Sequence, residues 1–174
     1  ITNHLEETNG AFVLKSNTSI GVIDAELIPA AEYLADMLSR ATGYDLKVKE
    51  GEGTITLALG DVQGKEGAYT LTAESDKVNI TGNSYGGVIA GIESLRQLFP
   101  PQIESKEIVK GTDWAIPAVN IQDAPRFEWR GIMLDVSRHF YTIDEVKELL
   151  DVMALYKMIN STGILPMTKD GVSK

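Results

Sequence analysis

The spacing of apolar residues changes part-way along this chain, and that change limits what the chain can fold into. Over roughly the first 100 residues, short runs with period-two alternation flank two longer runs whose apolar residues recur every three or four positions. From Gly131 to Val136 the apolar residues are nearly continuous, which is typical of a strand buried on both faces in a parallel barrel. We therefore expect an α+β layer followed by the start of a different, parallel unit.

The first unit is predicted to be a mainly antiparallel sheet with two helices on one face. Its first helix carries apolar residues at helical spacing from Leu27 to Ala41 and stops at Gly43. The stretch GAYTLTAESDKVNITG predicts a hairpin, because two alternating runs are joined by the polar residues of positions 74–76.

The second helix is predicted in the stretch SYGGVIAGIESLRQLF. Ser84 is suited to cap its amino end, and Pro100 follows its carboxyl end. The spacing places Glu93 and Arg96 on the solvent side of this helix.

Glycines around the start of that helix admit two interpretations. The stretch TGNSYGGVIAG opens a helix, as a phosphate cradle does. It matches neither a P-loop nor the GxGxxG pattern, so we favour packing. In that interpretation Gly82 and Asn83 make a turn, while Gly86, Gly87 and Gly91 let the helix lie close to the sheet.

The second unit is predicted to be one strand and one helix, a single βα step of a truncated TIM barrel. Thr142 precedes the helical run, and Glu145 follows three residues later, which is the pattern of a capping box. The expected divisions are residues 1–116 for the α+β domain, 117–158 for the linker and barrel step, and 159–174 for a separate tail.

Charge and composition exclude several classes of partner. The formal net charge is −9, which disfavours binding to nucleic acid or to an anionic membrane surface. The chain has no cysteine and two histidines, so neither a disulfide framework nor a histidine-rich metal site is expected. We expect no cofactor, and no apolar run approaches the ~20 residues of a membrane span.

Charged and aromatic residues cluster around the continuous apolar run, in DAPRFEWRGIMLDVSRHF. Asp135 and Arg138 come at the carboxyl end of that predicted strand, which is the rim that carries active sites in barrels. The alternative is a set of ion pairs that seals the floor of the barrel or a domain interface, since buried charges need partners.

This region resembles glycoside hydrolase family 20, the β-N-acetylhexosaminidases. The carrying stretch is IPAVNIQDAPRFEWRGIMLDVSRHFYTIDEVKELLDVMALYKM, with its Pro-Arg-Phe, Trp-Arg-Gly, Leu-Asp and Arg-His-Phe groups. The preceding hairpin and helix resemble the family's small amino-terminal domain, so the likeness extends from about Phe12 to Met158. It implies hydrolysis of terminal N-acetylglucosamine or N-acetylgalactosamine with retention, in which the acetamido group of the substrate is the nucleophile.

The resemblance also assigns roles to individual residues. Arg138 matches the arginine that grips hydroxyls of the terminal sugar, while Arg130, Asp135 and His139 match positions that give structural support. The catalytic Asp-Glu pair of the family lies further along the barrel than this chain reaches, so no catalytic residue is assigned and the chain alone is expected to be inactive. The alternative is a non-catalytic carbohydrate-binding or protein-interaction module. Export to the periplasm or the extracellular space is expected from the family alone.

The last sixteen residues, Ile159–Lys174, do not resemble the family, which continues approximately as NKFHWHLTDDQGWRIE. When plausible codons are written for that text and one base of the first codon is deleted, the new frame encodes INSTGILPMTKDGVSK without a mismatch. We therefore expect an out-of-frame tail. Its residues STGILPM are still compatible with an edge strand, because an edge tolerates Pro166.

An incomplete barrel would leave apolar residues without cover. The face of the second unit's helix carries Ile143, Val146, Leu149, Leu150, Met153 and Tyr156. Leaving six such side chains exposed forfeits on the order of 10 kcal/mol. Docking onto the first domain or self-association is therefore expected.

Overall fold

The computed structural model describes residues 3–164, 167–168 and 171–172. The chain divides into two compact units, Ile1–Arg126 and Phe127–Lys174. Within the described residues, no helix combines the length and the apolar content that crossing a membrane requires.

The first unit is built on a seven-stranded sheet. Its strands are β1 His4–Val13, β2 Ser19–Val22, β3 Lys47–Glu50, β4 Ile55–Leu59, β5 Tyr69–Ala73, β6 Val78–Gly82 and β7 Ala115–Asp123. Their spatial order is β1-β7-β5-β6-β4-β2-β3. The predicted hairpin is confirmed as β5 and β6, which pair antiparallel from Tyr69 opposite Gly82 to Ala73 opposite Val78.

The α+β class is confirmed, but the sheet is evenly mixed where mainly antiparallel pairing was expected. The pairs β1–β7, β5–β7 and β5–β6 are antiparallel. The pairs β2–β3, β2–β4 and β4–β6 are parallel. Alternation of apolar residues reveals which face of a strand is buried, but it does not reveal the direction of the neighbouring strand.

Two helices, α1 Ile28–Thr42 and α2 Tyr85–Leu98, pack against this sheet. The carboxyl cap of α1 is Gly43, whose φ of 70° is the left-handed conformation that glycine adopts without strain. Ser84 caps α2, and its side chain accepts a hydrogen bond from the backbone N–H of Gly87 at 3.2 Å. The two helices and the sheet share one continuous hydrophobic core.

Close packing accounts for most of the glycines around the start of α2. A Cβ on Gly87 would lie 2.5 Å from the carbonyl oxygen of Ala68, and one on Gly91 would lie 2.5 Å from Cγ2 of Ile80. Both contacts are too short for any larger residue, so packing is the role of these two glycines. Gly86 differs, because the nearest atom to its Cβ would be 3.9 Å away.

Glu93 is buried, which corrects the expectation that it faces solvent. Its side chain is fully covered, and Oε1 accepts a hydrogen bond from the hydroxyl of Tyr33 in α1 at 2.6 Å. Nη1 of Arg96 donates to Oε2 at 3.4 Å. Arg96 is also largely covered, at 18% exposure. Both residues lie on the flank of α2 that faces α1, and that neighbour cannot be read from the apolar spacing of α2.

A short 3-10 helix, Pro101–Glu104, follows α2 and is tied back to it. Nε of Arg96 donates to Oε1 of Glu104 at 2.7 Å. This hydrogen bond holds the pKa of the Glu104 carboxyl below its ordinary value, against the opposing effect of partial burial. Arg96 therefore bridges the carboxylates of Glu93 and Glu104.

The boundary between the units lies later than the expected division after residue 116. Strand β7 begins at Ala115 and runs to Asp123, and it pairs with both β1 and β5. The stretch that was expected to lead into the barrel step is therefore an integral strand of the first sheet, and the contacts divide after Arg126. Its apolar residues fit either unit, because alternation alone does not identify the partner strand.

The second unit contains a parallel strand pair and one helix. Its main elements are β8 Gly131–Asp135, α3 Ile143–Leu155 and β9 Asn160–Ile164. Strand β8 pairs with β9 in parallel, from Gly131 opposite Asn160 to Asp135 opposite Ile164. Two further strands, β10 Met167–Thr168 and β11 Gly171–Val172, pair antiparallel with each other.

Strand β9 is formed by the part of the chain that was expected to be out of frame. The carbonyl oxygen of Arg130 accepts hydrogen bonds from the N–H groups of Ile159 and Asn160 at 2.9 and 3.0 Å. The backbones then approach so closely that a Cβ on Gly131 would lie 2.2 Å from the carbonyl oxygen of Asn160. Pro166, on which the edge-strand expectation depended, lies outside the described residues.

Candidate functional site

The candidate site is at the carboxyl end of β8, where Asp135 is the last residue of the strand. Its Oδ1 accepts hydrogen bonds from the backbone N–H groups of Ser137 and Arg138 at 3.0 and 3.2 Å. Its Oδ2 lies 3.3 Å from Nε of Arg138. The Asp135 carboxylate thus contacts both the turn that follows the strand and Nε of Arg138.

The guanidinium of Arg138 is available to a ligand. Its side chain is 90% exposed, whereas that of Asp135 is 20% exposed. Nε faces the Asp135 carboxylate, so the N–H groups of the two terminal nitrogens can be donated to a ligand. A guanidinium presents these donors as a planar fork. The arrangement is able to hold two adjacent oxygen atoms of a bound molecule.

Arg130 lies at the opposite end of β8 from Arg138. Its Nε donates to the carbonyl oxygen of Lys157 at 2.9 Å, and Nη1 donates to that of Phe127 at 2.7 Å. Arg130 therefore ties the segment that precedes β8 to the segment that follows α3. It supports the strand pair, and it does not adjoin the guanidinium of Arg138.

His139 packs against Tyr141. The two rings meet edge to face, with centroids 5.2 Å apart and planes inclined at 66°. His139 itself is exposed. Both rings belong to the loop between β8 and α3, which also carries Arg138.

The comparison with protein families divides the chain much as the structure does. The family model described as Glycosyl hydrolase family 20, domain 2 matches residues 2–124. The model described as Glycosyl hydrolase family 20, catalytic domain matches residues 127–161. The chain belongs to glycosyl hydrolase family 20.

Individual members of family 20 agree with that assignment. The chain is 35% identical over 159 residues to a beta-hexosaminidase of Porphyromonas gingivalis, covering 88% of this chain and 20% of that protein. It is 34% identical over 161 residues to a beta-N-acetylhexosaminidase of Cellulomonas fimi, covering 88% of this chain and 31% of that protein. The chain thus spans a fifth to a third of the length of these relatives.

A solved family 20 structure matches the fold. It is a mutant Streptomyces plicatus beta-hexosaminidase in complex with product (GlcNAc), with a TM-score of 0.88 and 35% identity. The match covers 95% of this chain and 34% of that chain. The family inferred from the residues is confirmed.

Helix α3 of this family 20 chain begins at a capping box. The side chain of Thr142 accepts from the N–H of Glu145 at 3.2 Å, and Oε2 of Glu145 accepts from the N–H and hydroxyl of Thr142 at 2.7 and 2.9 Å. These hydrogen bonds lower the pKa of the Glu145 carboxyl. The neighbouring carboxylate, Asp144, pairs with Lys147 at 3.8 Å. The carboxylates of Asp144 and Glu145 thus lie in the first turn of α3, where Glu145 completes the cap.

An open cleft lies between β8 and α3. Its volume is about 360 Å³, and it is lined by Leu134, Tyr141, Glu145, Glu148, Leu149 and Val152.

Of the helix face that was expected to need cover, Met153 is buried, while Ile143, Leu150 and Tyr156 are exposed by 75%, 48% and 68%. Among the described residues, no group of three His, Asp or Glu side chains is arranged to hold a metal ion.

Proposed function

We propose that this chain supplies domain 2 and the opening βα step of a β-N-acetylhexosaminidase. The whole enzyme removes terminal N-acetylhexosamine residues from glycans by substrate-assisted retaining catalysis. The observation that carries the proposal is the exposed Arg138 guanidinium at the carboxyl end of β8, where barrel enzymes bind substrate. The names of the relatives and the product bound in the Streptomyces structure support the same activity.

In this proposal Arg138 binds two neighbouring hydroxyl oxygens of the terminal sugar. Asp135 positions the guanidinium, because its carboxylate holds both Nε and the turn that carries the residue. The sugar is then fixed while its own acetamido oxygen attacks the anomeric carbon. The acid that protonates the leaving group comes from the remainder of the catalytic domain.

Arg138 is tested in the whole enzyme with a chromogenic N-acetylglucosaminide. We expect Arg138→Ala to lower kcat/KM on the order of a hundredfold, since two charge-assisted hydrogen bonds are lost. Arg138→Lys keeps the charge but not the fork, so it should rescue only part of the loss. The matched control is Arg40→Ala, which removes another exposed arginine; equal losses in both alanine variants would refute the role of Arg138.

The 174-residue chain alone should show no turnover in the same assay. It carries one sugar-binding arginine and no counterpart of the family's Asp-Glu pair. Turnover at a rate comparable to the whole enzyme would overturn this part of the proposal.

The second candidate function is a carbohydrate-binding or interaction module. It requires the 174-residue chain to bind N-acetylglucosamine, which titration calorimetry measures.

We also propose that the residues from Ile159 onward are read out of frame. The match to the catalytic-domain model ends at residue 161, which supports a break close to Met158. Sequencing the source gene across this point tests the idea. One missing base, followed in the restored frame by the family text, is the expected result, and an unshifted frame that encodes the same tail would refute it.

Export of the whole enzyme is proposed from its family. Many substrates of terminal hexosaminidases are glycans outside the cell, and the acidic chain suits a soluble catalyst. Activity in the periplasmic or culture fraction of the source organism is the expected result, and activity confined to the cytoplasm would contradict it.

A further inference from the structure

The regular pairing of β1 is interrupted in its middle. Glu7 lies opposite Val119, and Ala11 lies opposite Pro117. The three residues 8–10 of β1 therefore stand across from the single residue Ala118 of β7. Such a bulge disrupts the ladder locally and leaves extra residues of β1 unpaired.

The bulge contains the one Asn-Gly pair of the sequence, Asn9–Gly10. Asn9 is exposed, and across the described part of the chain its side chain has no hydrogen-bond partner. Gly10 has a φ of 116°, and a Cβ placed on it would find only Cβ of Ala118, at 3.9 Å. Gly10 is therefore uncrowded on the side where any other residue would carry its Cβ.

We propose that Asn9 is a site of spontaneous deamidation. The Gly10 amide loses its proton to solvent, and its nitrogen forms a bond to Cγ of Asn9. The bond from Cγ to the side-chain NH2 group then breaks, and this group takes up a proton from solvent and leaves as ammonia. The resulting succinimide adds one water molecule and opens at either carbonyl. Opening at Cγ gives aspartate, and opening at the backbone carbonyl gives isoaspartate.

The modification changes a cleft at the edge of the first sheet. That cleft has a volume of about 390 Å³, and its lining includes Asn9, Glu74 and Asp76. A new carboxylate at position 9 joins those of Glu74 and Asp76, and like charges in one cleft repel. Isoaspartate also adds a methylene to the main chain. Both effects weaken the attachment of β1 to β7.

Asn83 is the natural control. Gly67 donates a hydrogen bond to its Oδ1 at 3.0 Å, and its Nδ2 donates to the carbonyl oxygens of Lys65 and Val62 at 3.0 and 3.4 Å. Its side chain is therefore held away from the following peptide nitrogen. The next residue, Ser84, also carries a side chain that obstructs attack.

The test is incubation of the 174-residue chain under native, mildly alkaline conditions, followed by peptide mapping by mass spectrometry. We expect aspartate and isoaspartate at position 9, formation that accelerates as pH rises, and an intact amide at Asn83. The variant Asn9→Gln should lose the product while keeping the fold. Retention of the Asn9 amide in the folded chain, with conversion only after unfolding, would overturn the proposal, as would equal conversion of Asn83.

Discussion

At the scale of single residues, the first unit depends on a buried carboxylate. Both oxygens of Glu93 receive hydrogen bonds, one from Tyr33 and one from Arg96. A covered charge persists only with such partners, because an unpaired carboxylate away from water is strongly disfavoured. Glu93 thereby joins the two helices through a polar contact inside an otherwise apolar interface.

Removing this carboxylate should destabilise the first unit. We expect Glu93→Ala to lower the free energy of unfolding by about 1–3 kcal/mol, since Tyr33 and Arg96 lose a covered partner. Tyr33→Phe leaves the covered Glu93 carboxylate with one donor fewer, so we expect a loss of similar size, about 1–3 kcal/mol. Urea unfolding followed by circular dichroism measures both. A Glu93→Ala variant as stable as the unsubstituted chain would contradict the interpretation.

Glu93 also shows where sequence reasoning stops. The cap at Ser84, the stop at Gly43 and the turn of the hairpin were predictable, because each depends on neighbours close in sequence. The fate of Glu93 depends on Tyr33, sixty positions away, and no local pattern reports that contact. In the candidate site, the sequence places Arg130 before the predicted strand and Asp135 at its end. The partner of Arg130 at Lys157 could not be predicted, because it lies 27 positions away.

At the scale of elements, one arginine of helix α2 connects this helix to the 3-10 helix that follows it. Arg96 reaches Glu93 within the helix and Glu104 in the 3-10 helix that follows. The pKa of Arg96 is raised, chiefly by the hydrogen bond to Glu104, so its charge is constant in ordinary solutions. The pH dependence considered for the link to the 3-10 helix is therefore that of Glu104.

Acid should weaken the connection between α2 and the 3-10 helix. The pKa of Glu104 in the folded chain is below its ordinary value of 4.5. Its contribution is then fully present above that value and is lost as the pH falls through the lower, folded pKa. We expect the urea concentration at the unfolding midpoint to decrease as the pH is lowered below 4.5. This decrease should be smaller in the Glu104→Gln variant. Identical acid profiles for the two proteins would contradict this.

The amino cap of α3 should be measurable in the same way. Thr142→Ala removes the acceptor for the Glu145 N–H and should lower stability by about 1 kcal/mol. Thr142→Ser keeps the hydroxyl and serves as the control. Helicity measured by circular dichroism during thermal unfolding distinguishes them, and equal values for the two variants would exclude a capping role.

At the scale of the whole molecule, the two units differ in how completely they cover apolar groups. The sheet and two helices of the first unit enclose a continuous core. In the second unit, Met133, Phe140 and Ile143 are exposed by 67%, 82% and 75%. Exposed apolar surface of this kind favours association in water.

We expect the 174-residue chain to self-associate as its concentration rises. Ile143→Lys together with Tyr156→Lys should reduce the mass measured by light scattering, because both side chains are exposed, one at the start of α3 and the other at its carboxyl cap. The matched control is Ile108→Lys, an equally apolar residue that is 62% exposed in the first unit. A strict monomer at every concentration would contradict the prediction.

The parallel pairing of β8 with β9 has a consequence for how such chains are compared. Main-chain hydrogen bonds hold this pair, so the position beside β8 places few demands on the side chains of β9. The structural match accordingly covers 95% of the chain, whereas the catalytic-domain sequence match ends at residue 161. Likeness of the backbone at β9 therefore says little about the origin of its residues, and the gene sequence around this strand is the direct test of the proposed change of frame near Met158.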